Sequence, residues 1–117
     1  MYPAEDPAAG PARLEMLKKA YRYHPTNVPV LRELVRMGIH ENQEVAAEAR
    51  AIYNPGENAD APALVLNELG AQALGQTDYE RALKLFELAR KKSSRNPEIL
   101  NNLSYTCLLY TSDAADE

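Results

Sequence analysis

The sequence predicts an all-α fold of antiparallel helical hairpins, about six helices in all. Three observations predict it. Apolar residues recur at three- and four-residue spacing along most of the chain, and no segment alternates with the period of two that a strand requires. Breakers rich in proline and asparagine, among them His24-Pro25-Thr26-Asn27, Asn54-Pro55-Gly56-Glu57-Asn58 and Asn96-Pro97, cut the periodic stretches into short segments. Finally, Leu66-Asn67-Glu68-Leu69-Gly70 returns 34 residues later as Leu100-Asn101-Asn102-Leu103-Ser104, a period that marks helix–turn–helix solenoids.

Each element follows from local chemistry. Residues 1–11 are rich in proline and alanine and are expected to be disordered. Leu14, Leu17, Ala20 and Tyr21 place a first helix over Ala12–Tyr23, which stops because the residue before a proline avoids the α region. A second helix is expected over Val28–Met37 with Leu31, Leu34 and Val35 inward and Gly38 as its cap. A third, Asn42–Tyr53, carries Val45, Ala46, Ala49 and Ile52. The fourth starts near Asp60, a suitable N-cap with Pro62 behind it, and runs to Leu74, where Gly75 ends it. Thr77-Asp78-Tyr79-Glu80 reads as a capping box for the fifth, which continues to Lys92. The sixth opens at Asn96-Pro97 and should reach Tyr105, there to be cut off or to be extended artificially by Leu108 and Leu109 of the tail.

The last eleven residues, 107–117, look like the in-frame translation of a transposase-type sequencing adapter and are expected to lie outside the fold. The formal net charge of the whole chain is −4. Without Asp113, Asp116 and Glu117, the 13 basic residues face 14 acidic ones, so the body of the chain is nearly neutral. That balance gives no drive toward nucleic acid or an anionic membrane, and no apolar run approaches the roughly 20 residues of a membrane span. The one cysteine, Cys107, falls in the tail, so residues 1–106 form no disulfide. The N-terminus lacks the basic start and apolar core of a signal peptide, which favours the cytoplasm without fixing the compartment.

Residues 63–96 resemble a tetratricopeptide repeat (TPR). Leu66, Leu69-Gly70 and Ala73 fill the signature of the family's first helix, and Tyr79, Ala82, Phe86 and Ala89 that of its second. Thr77 stands where the family often has glycine at the inter-helix turn. Residues from 97 on look like the start of the next repeat, with Leu100 and Leu103 in register, and Leu31-Arg32-Glu33-Leu34 aligns with an earlier one. The resemblance implies a short right-handed TPR-like solenoid over residues 12–106, of bacterial type, whose ligands lie in the concave groove lined by first helices. The matching positions are Arg32, Arg36, Asn67, Ala71, Asn101, Asn102 and Tyr105. Glu98 stands where the family's carboxylate clamp would want a cation, which argues against that clamp.

The resemblance implies a scaffold that binds a peptide or partner protein, not an enzyme, with no cofactor or metal. An alternative is a substrate-recruiting segment of a larger enzyme truncated after residue 106. Self-association through an uncapped repeat end is a further expectation, since a solenoid end without a polar cap exposes an apolar face. Arg32 and Arg36 share one helix face and suggest an acidic group on the ligand; a surface ion pair with Glu33 or Glu41 is the plainer reading. Arg90, Lys91, Lys92 and Arg95 cluster at the negative end of the fifth helix, without the interleaved aromatics of a nucleic-acid platform. His24 and His40 lack zinc-ligand spacing.

Overall fold

The computed structural model describes residues 8–56 and 60–115. The described residues form six helices: α1 (Ala9–Tyr23), α2 (Val28–His40), α3 (Gln43–Ile52), α4 (Ala63–Gly75), α5 (Tyr79–Lys92) and α6 (Pro97–Ala115). Helices adjacent in sequence pack together within each of two compact units, which divide between Pro55 and Gly56.

In the first unit, α2 packs along α3 and α1 lies against both. Leu14, Leu34, Met37, Val45 and Ala49 form its core, with Leu17, Tyr21, Val30, Ile52 and Tyr53 packed around them. These residues recur at helical spacing, so each helix turns one apolar stripe inward. In the second unit, α5 lies between its neighbours, packing on α4 and on α6, and α4 also touches α6. Its buried side chains are Val65, Leu66, Leu69 and Ala73 from α4, Ala82, Leu85, Phe86 and Ala89 from α5, and Ile99 from α6. Burying a side chain as large as Phe86 contributes roughly 1.5–3 kcal/mol.

Three boundaries differ from the sequence expectation, each for a local reason, and the sixth helix takes the longer of its two expected forms. Helix α1 begins at Ala9, not Ala12, because Pro11 falls in its first turn, where a missing N–H costs nothing; residues 1–7 lie outside the described residues. Helix α2 runs past Gly38 to His40. Gly38 is therefore not a cap. It sits under Arg50, whose guanidinium donates to the Gly38 carbonyl, and a Cβ there would lie 2.8 Å from Arg50 Cγ. Helix α4 starts at Ala63, and Pro62 rather than Asp60 precedes it; the Pro62 carbonyl accepts from the Val65 and Leu66 amides. Helix α6 continues unbroken through residue 107 to Ala115, since no proline or glycine follows Pro97.

The expected capping box is also replaced. Asp78 caps α5, its carboxylate accepting from the Arg81 amide at 3.3 Å. The Thr77 hydroxyl donates instead to the Gln76 carbonyl, and the Glu80 carboxylate accepts from the Tyr110 hydroxyl. Thr77 takes φ +57°, the left-handed region. With the Asp78 amide donating to the Ala73 carbonyl and the Thr77 amide to the Leu74 carbonyl, the end of α4 is a Schellman motif. The motif wants glycine where Thr77 stands, while Gly75 ends the helix in an ordinary conformation. Asn27, Asn42 and Asn96 cap α2, α3 and α6, each side chain accepting an amide two or three residues on.

Candidate functional site

The candidate residues divide between the two units. In the first, Arg32 is half-buried and Arg36 exposed on α2. Arg36 Nη1 lies 3.7 Å from Glu33 Oε2, and Arg13 Nη1 from α1 lies 3.6 Å from Glu33 Oε1. Two guanidiniums thus flank one carboxylate at distances longer than a hydrogen bond. Pairs this loose and solvated contribute about 0–1 kcal/mol, so an incoming carboxylate can exchange with Glu33 at small cost. These groups line a cleft of about 260 Å³ with Met37 at its floor and His40 and Glu41 at its rim. The plainer reading of Arg36 therefore holds in the free protein: it pairs with Glu33.

Arg13 and His40 join this cleft although neither was singled out for binding. Arg13 lies on a different helix, and helical spacing reports only neighbours on the same one.

In the second unit, the expectation for Asn67 is corrected. The resemblance places it in the concave groove. Asn67 is instead only 1% exposed, and its amide is spent inside the protein. Its Nδ2 donates to Glu98 Oε1 at 3.1 Å, and its Oδ1 accepts from Asn102 Nδ2 at 2.9 Å. The Thr106 hydroxyl, fully buried, donates to the Asn102 carbonyl at 2.7 Å. This chain of polar groups ties α4 to α6. No buried side-chain polar atom among the described residues lacks a partner, so the network is complete and specifies one register between the two helices.

Asn101, Tyr105 and Ala71 are exposed, and Asn102 is half-buried. Glu98 remains exposed beyond its bond to Asn67, so the polar surface of α6 presents Glu98, Asn101 and Tyr105 to solvent. Leu100, expected to pack, is 37% exposed, and Leu103 is half-buried. Their counterparts Leu66 and Leu69 on α4 are buried, as are Gly70, Ala73, Ala82, Phe86 and Ala89, while Tyr79 is half-buried.

Two titrations are displaced from their ordinary values. Glu15, by hydrogen bond and charge, raises the Lys18 ammonium, and Glu48 adds to the effect. Burial raises the Tyr53 phenol, and Tyr21, with ring centroids 6.5 Å apart, adds to it. The smaller contributions, of Glu48 to Lys18 and of Tyr21 to Tyr53, reflect the packing of α1 on α3.

Among the described residues, no group of three or more His, Cys, Asp or Glu side chains could hold a metal ion. No described helix is long and apolar enough to cross a membrane. No family model, curated protein or solved structure matches the chain.

Proposed function

We propose that the chain is a TPR-like helical-repeat scaffold that binds a peptide or partner protein through the exposed side chains of its first helices. The repeat phase carries this reading. Leu31, Leu66 and Leu100 are each the fourth residue of their helix, and Leu34, Leu69 and Leu103 each the seventh. The same residue types at the same helical positions in α2, α4 and α6 are what stacking of equivalent hairpins requires. The approach of Phe86 to Gly70 adds the close helix pair on which such a repeat depends.

Under this reading, Arg32 and Arg36 offer charge to an acidic ligand in the first unit, with Arg13 beside Arg36. In the second unit, Asn101 and Tyr105 offer an amide and a phenol to a peptide backbone. Asn67 has no part in contact; it holds α6 in place so that Asn101 and Tyr105 face solvent. Binding rather than chemistry is proposed because the polar residues named here pair with one another or face water, without a nucleophile held against a base. The function rests on the site and on resemblance, since a fold alone does not fix a function.

Fluorescence anisotropy with a panel of labelled acidic peptides and matched glutamine- and asparagine-substituted peptides tests this. The acidic set is expected to bind with Kd on the order of micromolar. Arg32→Ala with Arg36→Ala should weaken it at least tenfold, with helical circular dichroism unchanged. Equal binding of both sets, or no effect of the double variant, would remove the arginines from the reading.

A further inference from the structure

We infer that the cleft between α1 and α2 receives a phosphoryl group, carried on a phosphorylated side chain of the partner peptide. This rests on the acidic-ligand reading above and narrows it to one chemistry. Glu33 shows what the cleft can hold. Its two carboxylate oxygens are divided between two helices: Oε1 lies 3.6 Å from Arg13 Nη1 of α1, and Oε2 lies 3.7 Å from Arg36 Nη1 of α2. One anion thus already stands between two guanidiniums, and neither pair reaches hydrogen-bond length. All three side chains are partly exposed, so both pairs can open at small cost.

The charge of the incoming group decides what can take this place. Glu33 is tethered in the cleft, whereas a ligand must also give up its freedom of motion to bind. A ligand carboxylate brings the same single charge and the same two oxygens as Glu33, so it displaces an equal at a net loss. A phosphoryl group brings about −1.5 to −2 charge at pH 7 and three acceptor oxygens. It can give each guanidinium an oxygen at hydrogen-bond length and keep one for a third donor. His40 follows Glu33, Arg36 and Met37 at helical spacing and stands at the rim of the same cleft. In either neutral tautomer its ring carries one N–H to donate. The cleft's other carboxylate, Glu41, is turned toward the first turn of α1. A Cβ on Gly10 there would lie 3.1 Å from Glu41 Oε2. That is the positive end of α1, where a negative charge is favoured, so Glu41 is drawn away from the place between the arginines. The volume of about 260 Å³, floored by the buried Met37, admits a phosphoryl group and the methylene that carries it.

Chemical-shift titrations of the full labelled chain with an alanine-flanked phosphoserine pentapeptide, and with its glutamate and serine counterparts, test this. The phosphoserine peptide should bind about tenfold more tightly than the glutamate peptide, with the largest shifts at Arg13, Arg36 and His40. The serine peptide should give no saturable shift. Arg13→Gln should remove the preference for phosphoserine. Glu33→Gln should strengthen phosphoserine binding severalfold, because the internal competitor is gone; weaker binding would mean that Glu33 only braces the two arginines, and would overturn the proposal. The three peptides need no variant, so they decide the matter even where a substitution disturbs the fold. Equal affinity for glutamate and phosphoserine would overturn the phosphoryl assignment and leave the acidic-ligand reading standing. No saturable shift with phosphoserine would overturn it as well, and the acidic panel would then decide the broader reading through Arg32 and Arg36. Vesicles of phosphatidylcholine and phosphatidic acid that bind where the peptide does not would put the phosphoryl group on a lipid and overturn the peptide assignment.

Discussion

Phe86 lies across Gly70 so closely that a Cβ at residue 70 would stand 2.6 Å from the ring's Cε1. The two residues belong to α4 and α5, and both are fully enclosed. The ring cannot swing away, because its surroundings are packed. Gly70→Ala should therefore destabilise the second unit by roughly 2–3 kcal/mol, as overpacking does. Phe86→Leu should relieve part of that cost in the double variant, giving less than additive losses in urea unfolding. Gly38→Ala is the contrasting case. Its close neighbour is Arg50 Cγ, whose displacement also disturbs the guanidinium's bond to the Gly38 carbonyl, while alanine gains about 1 kcal/mol of helix propensity over glycine. The gain offsets part of the cost, so Gly38→Ala should destabilise the first unit by about 1 kcal/mol, less than Gly70→Ala does the second.

Thr77 holds a left-handed conformation that a β-branched residue adopts at a cost of roughly 1–2 kcal/mol. Thr77→Gly removes that cost but adds unfolded-chain entropy and loses the hydroxyl bond to Gln76, so a net gain of about 0.5–1 kcal/mol is expected. Asp78→Ala should lose about 1 kcal/mol, because Asp78 is the cap of α5. A loss of stability on Thr77→Gly, with Asp78→Ala neutral, would reverse the capping assignment.

These two residues also show where local reading stops. The helix phases were legible because periodicity is a property of neighbours: Leu31, Leu34, Val35, Val45, Ala46 and Ala49 are all buried. The turn after α4 was not legible. A threonine followed three residues later by glutamate matches a capping box, and nothing local reveals that the helix starts one residue later, with Asp78 accepting from the Arg81 amide. Gly38 was misread for a related reason. A glycine near a helix end looks like a cap, while its approach to Arg50 is fixed by how α2 meets α3. Asn67 was placed on the correct helix, but its partners Glu98 and Asn102 stand 31 and 35 residues away, beyond any local pattern.

Asn67→Asp tests that network. The substitution removes the amide that donates to Glu98 and sets a second carboxylate beside it. Stability at neutral pH should fall by about 2–3 kcal/mol, the cost of breaking a buried polar network. Because two adjacent carboxylates hold a proton more readily than one, the deficit against the unaltered chain should shrink toward pH 4. A deficit that does not change with pH would show that Glu98 and residue 67 are not in contact.

The alkaline limit of stability should depend on Tyr53. Its phenol is raised above the ordinary value of 10.0 by burial, with Tyr21 contributing. The folded state therefore favours the neutral phenol. This contribution is whole below pH about 10 and is lost as pH rises through the folded value. Lys18, also raised, acts with the same sign in the same window. Tyr53→Phe should flatten, without abolishing, the decline in stability above pH 10 in urea titrations. An unchanged slope would assign the decline to other groups.

The most direct measurement is amide chemical-shift mapping of the labelled chain during titration with the tightest peptide of the acidic panel. The account predicts saturable shifts at Arg32 and Arg36 on α2, with Arg13 of α1 beside them. Shifts confined to Lys84, Lys91 and Lys92 on α5, or none at all with every acidic peptide, would contradict a scaffold that binds through its first helices.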